Sequence, residues 1–257
     1  NDHVSDAEQG YICKYYEIEQ FVEKVKKSEN CFSTISLNVR SLCGKLNEFK
    51  EFIDEISSND FSFNVIGLQE LWNIPEHLNT DIPGYSSLVC KLRNCNNRNN
   101  IGGGVGFYLK NDLEFEILEN LSYFEEKNFE SLFVKIKVDR KQFKIIGNIY
   151  RSPGTDVNKF IEKTEEILNC IKNDPILSKA EEIQLLGDFN INLIKYETHE
   201  PTAKFLDTLF AFNELPLISL PSRITNTSST LIDNIFTNKN QELYDSGLIY
   251  CCMSDHL

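Results

Sequence analysis

Apolar positions along this chain fall in short blocks that alternate between two spacings, every second residue and every third or fourth, the signatures of strand and helix. Residues 14–27 place Tyr15, Ile18, Phe21, Val22 and Val25 at helical spacing, which predicts a short amphipathic lead-in helix. Residues 31–39 carry Phe32, Ile35, Leu37 and Val39 as a strand. Residues 46–56 then space Leu46, Phe49, Ile53 and Ile56 as a helix, and residues 63–68 follow as a second strand. Strand, helix, strand in this compass predicts a parallel crossover that brings Asn38 and Glu70 to one edge of the sheet, where ligands of such sheets collect.

From 85 to 150 the pattern becomes β-rich, with strands expected at 85–90, 105–109, 132–138 and 143–150 and a hairpin turn at Asp139-Arg140. A helix is expected over 157–171, with Phe160, Ile161, Thr164, Ile167, Leu168 and Ile171 on one face. It is followed by a strand at 183–186, a helix near 203–212 and strands at 231–237 and 247–252. Strands outnumber helices, and the helices are spaced to cover two outer faces of packed sheets, which predicts one α/β sandwich. The alternative is two domains divided at 111–128, but that stretch still carries Leu113, Phe115, Ile117, Leu118 and Phe124.

Composition adds bounds rather than chemistry. With 41% hydrophobic and 25% charged positions in 257 residues, the chain can bury a core without disulfide staples. Its 26 basic and 39 acidic residues give a net charge of −13, and no Lys/Arg-rich run is present; taken alone, this disfavours a polyanion partner. No apolar stretch approaches the roughly 20 residues that span a bilayer, so no membrane partner is expected, and residues 1–10 are polar and acidic rather than a signal peptide. The absence of an initial Met suggests a fragment. Eight cysteines without CxxC spacing fit free thiols in a reducing compartment; a zinc reading of Cys90 and Cys95 lacks a second pair. Sequons at Asn120 and Asn226 mean little without a secretory signal.

Candidate chemistry gathers at strand ends. The glycines at 102–106 lack the Lys-Ser/Thr of a phosphate loop and are read as permitting close approach or a bulge. Leu185-Leu186-Gly187-Asp188-Phe189-Asn190 ends an apolar strand with an acid and an amide two residues apart; together they suit attack on phosphorus or carbonyl carbon, although an Asx turn explains the pattern equally well. Gln69-Glu70 with Asn38 offers a carboxylate and an amide oxygen, a hard-cation pair suited to Mg²⁺, or else a solvated strand end. His256 follows an acid in Ser254-Asp255-His256. Asp233 lies among apolar residues, where a carboxylate needs a partner, and a histidine is the natural one.

Asn38 in Leu37-Asn38-Val39-Arg40, Gln69-Glu70, Tyr150 in Asn148-Ile149-Tyr150-Arg151-Ser152-Pro153, Gly187-Asp188-Phe189-Asn190, Ile232-Asp233 and Ser254-Asp255-His256 occur in an order that resembles the endonuclease/exonuclease/phosphatase family. The resemblance runs from about Cys31 to Leu257. It implies a DNase I-like four-layer α/β sandwich, two mixed sheets flanked by helices, after an N-terminal lead-in at 1–30. It further implies a metal site at Glu70 with Asn38, and with Asp255 as a metal or supporting carboxylate, taking Mg²⁺ with Mn²⁺ as substitute. Asp188 would activate water, Asn190 would help hold phosphate and nucleophile, Tyr150 would bind the phosphate, and His256, polarised by Asp233, would contact the scissile phosphate.

Asn38-Val39-Arg40-Ser41-Leu42, Gly102-Gly103-Gly104-Val105, Ile149-Tyr150-Arg151-Ser152-Pro153 and Arg223-Ile224-Thr225 leading to residues 230–237 look like endonuclease domains of non-LTR retrotransposons. Inositol-phosphatase and abasic-repair patterns are missing around Asp233. By resemblance the domain would nick nuclear target DNA and leave a 3′-hydroxyl primer for a reverse transcriptase domain of the same polyprotein. A phosphoesterase acting on small phosphoesters or lipid head groups, and an inactive truncated relic, are the alternatives. Arg151 and Arg223 are candidate DNA-backbone contacts, with Lys91, Arg93 and Arg98 in a cationic loop; Thr225 and Thr230 are either DNA contacts or hairpin threonines. Family members continue past the Ser-Asp-His motif with a proline and a final strand, so His256 is expected on a frayed end.

Overall fold

The computed structural model describes residues 13–25, 31–93, 102–125, 128–251 and 253–257. In chain order the elements are β1 (Lys14–Tyr16), α1 (Ile18–Val25), β2 (Thr34–Asn38), α2 (Leu42–Ser57), β3 (Val65–Gln69), β4 (Val89–Lys91), β5 (Val105–Leu109), β6 (Phe115–Ile117), β7 (Phe124–Glu125), β8 (Phe129–Lys137) and β9 (Phe143–Tyr150). There follow α3 (Val157–Asn173), β10 (Glu182–Asp188), α4 (Glu200–Ala211), β11 (Leu215–Pro216), β12 (Arg223–Ile224), β13 (Ser229–Thr230), β14 (Asp233–Thr237) and β15 (Gly247–Ile249). No helix among the described residues is long and apolar enough to cross a membrane.

Helix starts follow local chemistry. The Ser41 hydroxyl accepts from the Gly44 N–H at α2, and the Asp156 carboxylate accepts from the Asn158 N–H at α3, each satisfying a donor that the first helical turn leaves over. The six apolar-face residues expected on α3 are its six buried ones. The hairpin between β8 and β9 turns at Asp139, whose carboxylate accepts from the N–H groups of Lys141 and Gln142.

A four-stranded sheet runs β2-β3-β5-β4, and a seven-stranded one runs β11-β14-β10-β9-β8-β6 with β7 also on β8. Val65, Phe107, Leu132, Val134, Ile146 and Leu186 fill the space between them. Helix α2 covers the outer face of the smaller sheet through Phe49 and Ile53; α3 and α4 cover the larger one through an aromatic cluster of Phe160, Phe189, Phe205 and Phe236. These are the four expected layers. Strands β6 and β7 both pair with β8, so the larger sheet runs through 111–128 and no domain boundary falls there.

Two local expectations shift. Tyr15 lies not in a helix but in β1, which pairs in parallel with β15 while its ring stacks on Tyr250 at 5.7 Å, so a long-range partner overrides the helical spacing. Tyr85 makes only an isolated bridge with Lys110, and the strand there is the shorter β4. Cys95 and Arg98 lie outside the described residues. The described cysteines are free thiols.

Strand direction decides where the site forms. β2 and β3 are parallel with Asn38 opposite Gln69; β9 and β10 are parallel with Tyr150 opposite Asp188. Both crossovers therefore deliver their strand ends to one rim. Gly187, just before Asp188, has φ 146°, and a Cβ there would lie 1.8 Å from the Ile149 carbonyl oxygen, so only glycine fits.

The sheets are tied together near that rim by Asn148. Its Nδ2 donates to the carbonyls of Leu68 (2.9 Å) and Gly106 (2.8 Å), and its Oδ1 accepts from Gln69 Nε2 at 2.7 Å. The amide is fully buried, so these bonds have no water to replace them. Asn148→Leu is expected to cost about 3 kcal/mol by stranding these groups, lowering Tm by roughly 10 °C in a thermal melt. A melt superimposable on that of the wild type would contradict this cross-sheet role.

Candidate active site

One row of the larger sheet carries the polar groups. Glu130 on β8 stands opposite Tyr150 on β9, Tyr150 opposite Asp188 on β10, and Asp188 opposite Asp233 on β14. Directly opposite residues share a sheet face, so these four side chains line up across four strands at one rim. The smaller sheet brings Asn38 and Glu70 to the same place. Asn38 Nδ2 donates to Glu70 Oε1 at 2.9 Å and to Asp188 Oδ2 at 2.8 Å, one amide nitrogen bridging carboxylates from both sheets.

The loops at this rim are held in uncommon backbone. Of seven non-glycine residues with positive φ among the described residues, Arg40, Ser41, Glu70, Trp72 and Asn190 lie directly after β2, β3 or β10. Such conformations are disfavoured for side-chain-bearing residues and concentrate where surroundings impose them, often at functional sites.

Electrostatics set the two acid–base groups. Burial, then the charge of Asp233, pushes the Asp188 carboxyl up, against the opposing effects of His256, Asn38 and the Asn190 N–H. Burial alone would push the His256 imidazole down. The hydrogen bond and charge of Asp233, with the charges of Asp188 and Asp255, outweigh it, and the net shift is upward. His256 Nδ1 lies 2.9 Å from Asp233 Oδ2, and Ser222 Oγ donates to the same oxygen at 2.7 Å while accepting the N–H groups of Ile232 and Asp233. Tyr150 is buried, and burial with the charges of Glu70, Asp188 and Glu130 pushes its phenol well above the usual range.

Several sequence expectations change here. Asn38 does not turn its amide oxygen to the carboxylates: two acceptors face it, so its nitrogen does, and its Oδ1 accepts from the Arg40 N–H at 3.2 Å. Asp255 is not a free metal ligand, because Arg40 takes Oδ1 and Arg223 takes Oδ2 at 2.6 Å; this leaves it the supporting role. Arg151 is not a surface cation. It is buried and spends its guanidinium on the carbonyls of Phe189 (2.9 Å), Asn190 (2.7 Å) and Thr155 (2.9 Å), so it braces the loop that carries Asp188. Asn190 completes that brace, donating Nδ2 to the Arg151 carbonyl at 2.8 Å and its backbone N–H to Asp188 Oδ1 at 2.9 Å.

His256 is not frayed. It is 6% exposed, bridges Arg223 in the backbone, and is followed by a Leu257 N–H bonded to the Ser222 carbonyl. Thr225 closes its own turn with Ser228, and Thr230 pairs with Arg223, the hairpin placement. Lys91 is engaged by the Ser122 carbonyl and Glu119, and Arg93 by Glu130 and Ser152, so neither points freely at a ligand. Sequence reasoning missed Ser222, Glu130 and Trp72. Only Trp72 carried a local signal, standing two residues past Glu70.

The donor set fits a hard divalent cation. Glu70 and Asp188 are acidic oxygens held together across two sheets, an arrangement whose repulsion a cation relieves. Asp188, Asp233 and His256 also converge, with one ligand-type atom of each within 4.8 Å of the others.

The Endonuclease/Exonuclease/phosphatase family profile matches residues 35–256. No curated protein matches the sequence. Among solved structures, an AP endonuclease from Leishmania major is similar at TM-score 0.62 and 16% identity, over 82% of this chain and 81% of that one. The endonuclease domain of TRAS1, a telomere-specific non-LTR retrotransposon, gives TM-score 0.54 and 13% identity over 80% and 83%. A 3′ phosphatase from Neisseria bound to product DNA hairpin gives 0.53 and 14% over 80% and 86%. At these identities the likeness is one of fold.

The imidazole shift is directly testable. Asp233→Asn removes the hydrogen-bond and charge contributions that raise His256 and leaves the burial that lowers it, so the His256 pKa should fall. An NMR titration of the His256 ring in wild type and variant reads this. An unchanged titration would contradict the pairing.

Proposed function

The chain belongs to the endonuclease/exonuclease/phosphatase family, and on that premise we propose that it is a Mg²⁺-dependent DNA endonuclease domain of a non-LTR retrotransposon. The observation that carries the reading is the Asn38 amide held between Glu70 and Asp188, beside the Asp233–His256 pair. Phosphodiester hydrolysis needs charge neutralisation on the phosphate, a proton acceptor for water and a donor toward the departing oxygen. Mg²⁺ at Glu70 and Asp188 would supply the first when bound, with Mn²⁺ as a substitute.

The remaining tasks fall to the chain's own groups. Asp188 accepts the proton of the attacking water, and the Asn190 N–H fixes which of its oxygens is engaged. Asp233 accepts from Nδ1–H of His256 and favours the imidazolium, the form whose Nε2–H donates to a phosphate or leaving oxygen. The Tyr150 hydroxyl, kept protonated by its surroundings, is a second donor to the phosphate. Arg151 acts through the loop it braces.

The choice of substrate rests on the ordered motifs and on the fold shared with the TRAS1 endonuclease domain. Nicking that leaves a 3′-hydroxyl would give a reverse transcriptase domain of the same polyprotein its primer, in the nucleus. The net charge of −13 predicts weak DNA affinity, so stable target binding would depend on other parts of that polyprotein.

Supercoiled plasmid tests the reading. Open circles are expected with Mg²⁺ and not with chelator, and Asp188→Ala should slow nicking by about 10³-fold. Equal nicking by that variant would overturn the assignment. Phosphate release from small phosphoesters without plasmid nicking would instead favour the phosphoesterase alternative.

A further inference from the structure

Trp72 borders the reaction centre, and none of the roles above uses it. It is the only tryptophan in the chain and is half-buried. Its φ is 57°, and that of Glu70, two residues earlier, is 54°. The glycine loop enforces this shape: the Trp72 N–H donates to the Gly103 carbonyl at 2.8 Å and the Leu71 N–H to that of Gly104 at 3.2 Å. Gly103, at φ 70°, has no room for a side chain, since a Cβ would lie 2.3 Å from Arg93 Nε and Glu130 Oε1. The backbone of Trp72 is thus locked from behind.

The side chain is fixed at one edge. Indole Nε1–H donates to Glu70 Oε2 at 3.1 Å, on the carboxylate whose other oxygen takes the Asn38 amide. The residue borders a cleft of about 410 Å³ that Glu70, Tyr150, Arg93, Ser152 and Pro153 also line. Arg93 is spent on buried Glu130, so it does not offset the Glu70 carboxylate in this cleft. In a protein of net charge −13 such a cleft offers a polyanion little net attraction. An aromatic face supplies affinity that does not depend on charge, since every nucleobase has a π-face. One indole can serve both purposes, as its N–H lies in the ring plane and its stacking face is perpendicular to it.

We propose that Trp72 acts twice: its N–H positions the Glu70 carboxylate, and its ring stacks on the nucleobase adjoining the phosphate at Glu70, Tyr150 and His256. This rests on the reading of the site as a nuclease centre. Through Glu70 the residue is a positioning residue; through its ring it is a binding surface, and the two roles separate by substitution.

Tryptophan emission reports Trp72 alone. Mg²⁺ should shift that emission, and a phosphorothioate single-stranded oligonucleotide should quench it, whereas an abasic oligonucleotide with the same backbone should not. In plasmid and oligonucleotide cleavage, Trp72→Phe keeps the ring and should leave KM near wild type while raising the Mg²⁺ needed for half-maximal rate. Trp72→Leu should also raise KM about tenfold. Equal quenching by abasic and base-bearing strands, or variants matching wild type in both KM and Mg²⁺ requirement, would overturn the proposal. Nicking without base-dependent quenching overturns the proposal and leaves the nuclease reading standing. Base-dependent quenching without nicking supports stacking and sinks the nuclease reading.

Discussion

The carboxylates of Glu70 and Asp188 come from different sheets and meet at a single amide nitrogen, that of Asn38, at 2.9 and 2.8 Å. Two acids brought this close repel each other, and burial adds a desolvation cost to each charge. The fold pays that cost at this rim. There the parallel crossovers through α2 and α3 deliver strand ends from both sheets, and the buried Asn148 amide, bonded to β3 and β5, fixes the spacing between them.

Around that pair, each neighbouring group is itself held by another. Asp233 orients His256 and is oriented by Ser222; Asn190 and Arg151 support each other and fix Asp188; Glu130 anchors Arg93 and the glycine loop that supports Trp72. Most cations in the neighbourhood are spent this way. Arg40 and Arg223 close on Asp255, and Arg151 closes on carbonyls. The surface charge therefore says little about the site, and a divalent ion between carboxylates is the natural means of reversing its local sign.

The layered sandwich was legible because alternation and helical spacing are local. The helical face of residues 160–171 and the strands at 105–109 and 143–150 were read within a residue or two. Tyr15 was misread because its partner strand lies at Gly247–Ile249, far along the sequence. The candidate site residues are singled out by their order, and Asp233 also by the cost of an unpaired acid among apolar neighbours. What could not be read was how each side chain spends its hydrogen bonds. Arg151 resembles a phosphate contact until the carbonyls of Phe189, Asn190 and Thr155 are seen around it. Asn38 offers either end of its amide until two acceptors select the nitrogen. Ser222 and Glu130 act only through contacts made in three dimensions.

The central claim is that Glu70 and Asp188 form one divalent-cation site spanning both sheets. Calorimetric titration of Mg²⁺ into the wild-type chain and into Glu70→Gln tests it most directly. One site per chain is predicted in the wild type, with affinity reduced at least about tenfold in the variant. Equal binding by both proteins, or no binding by the wild type, would contradict it.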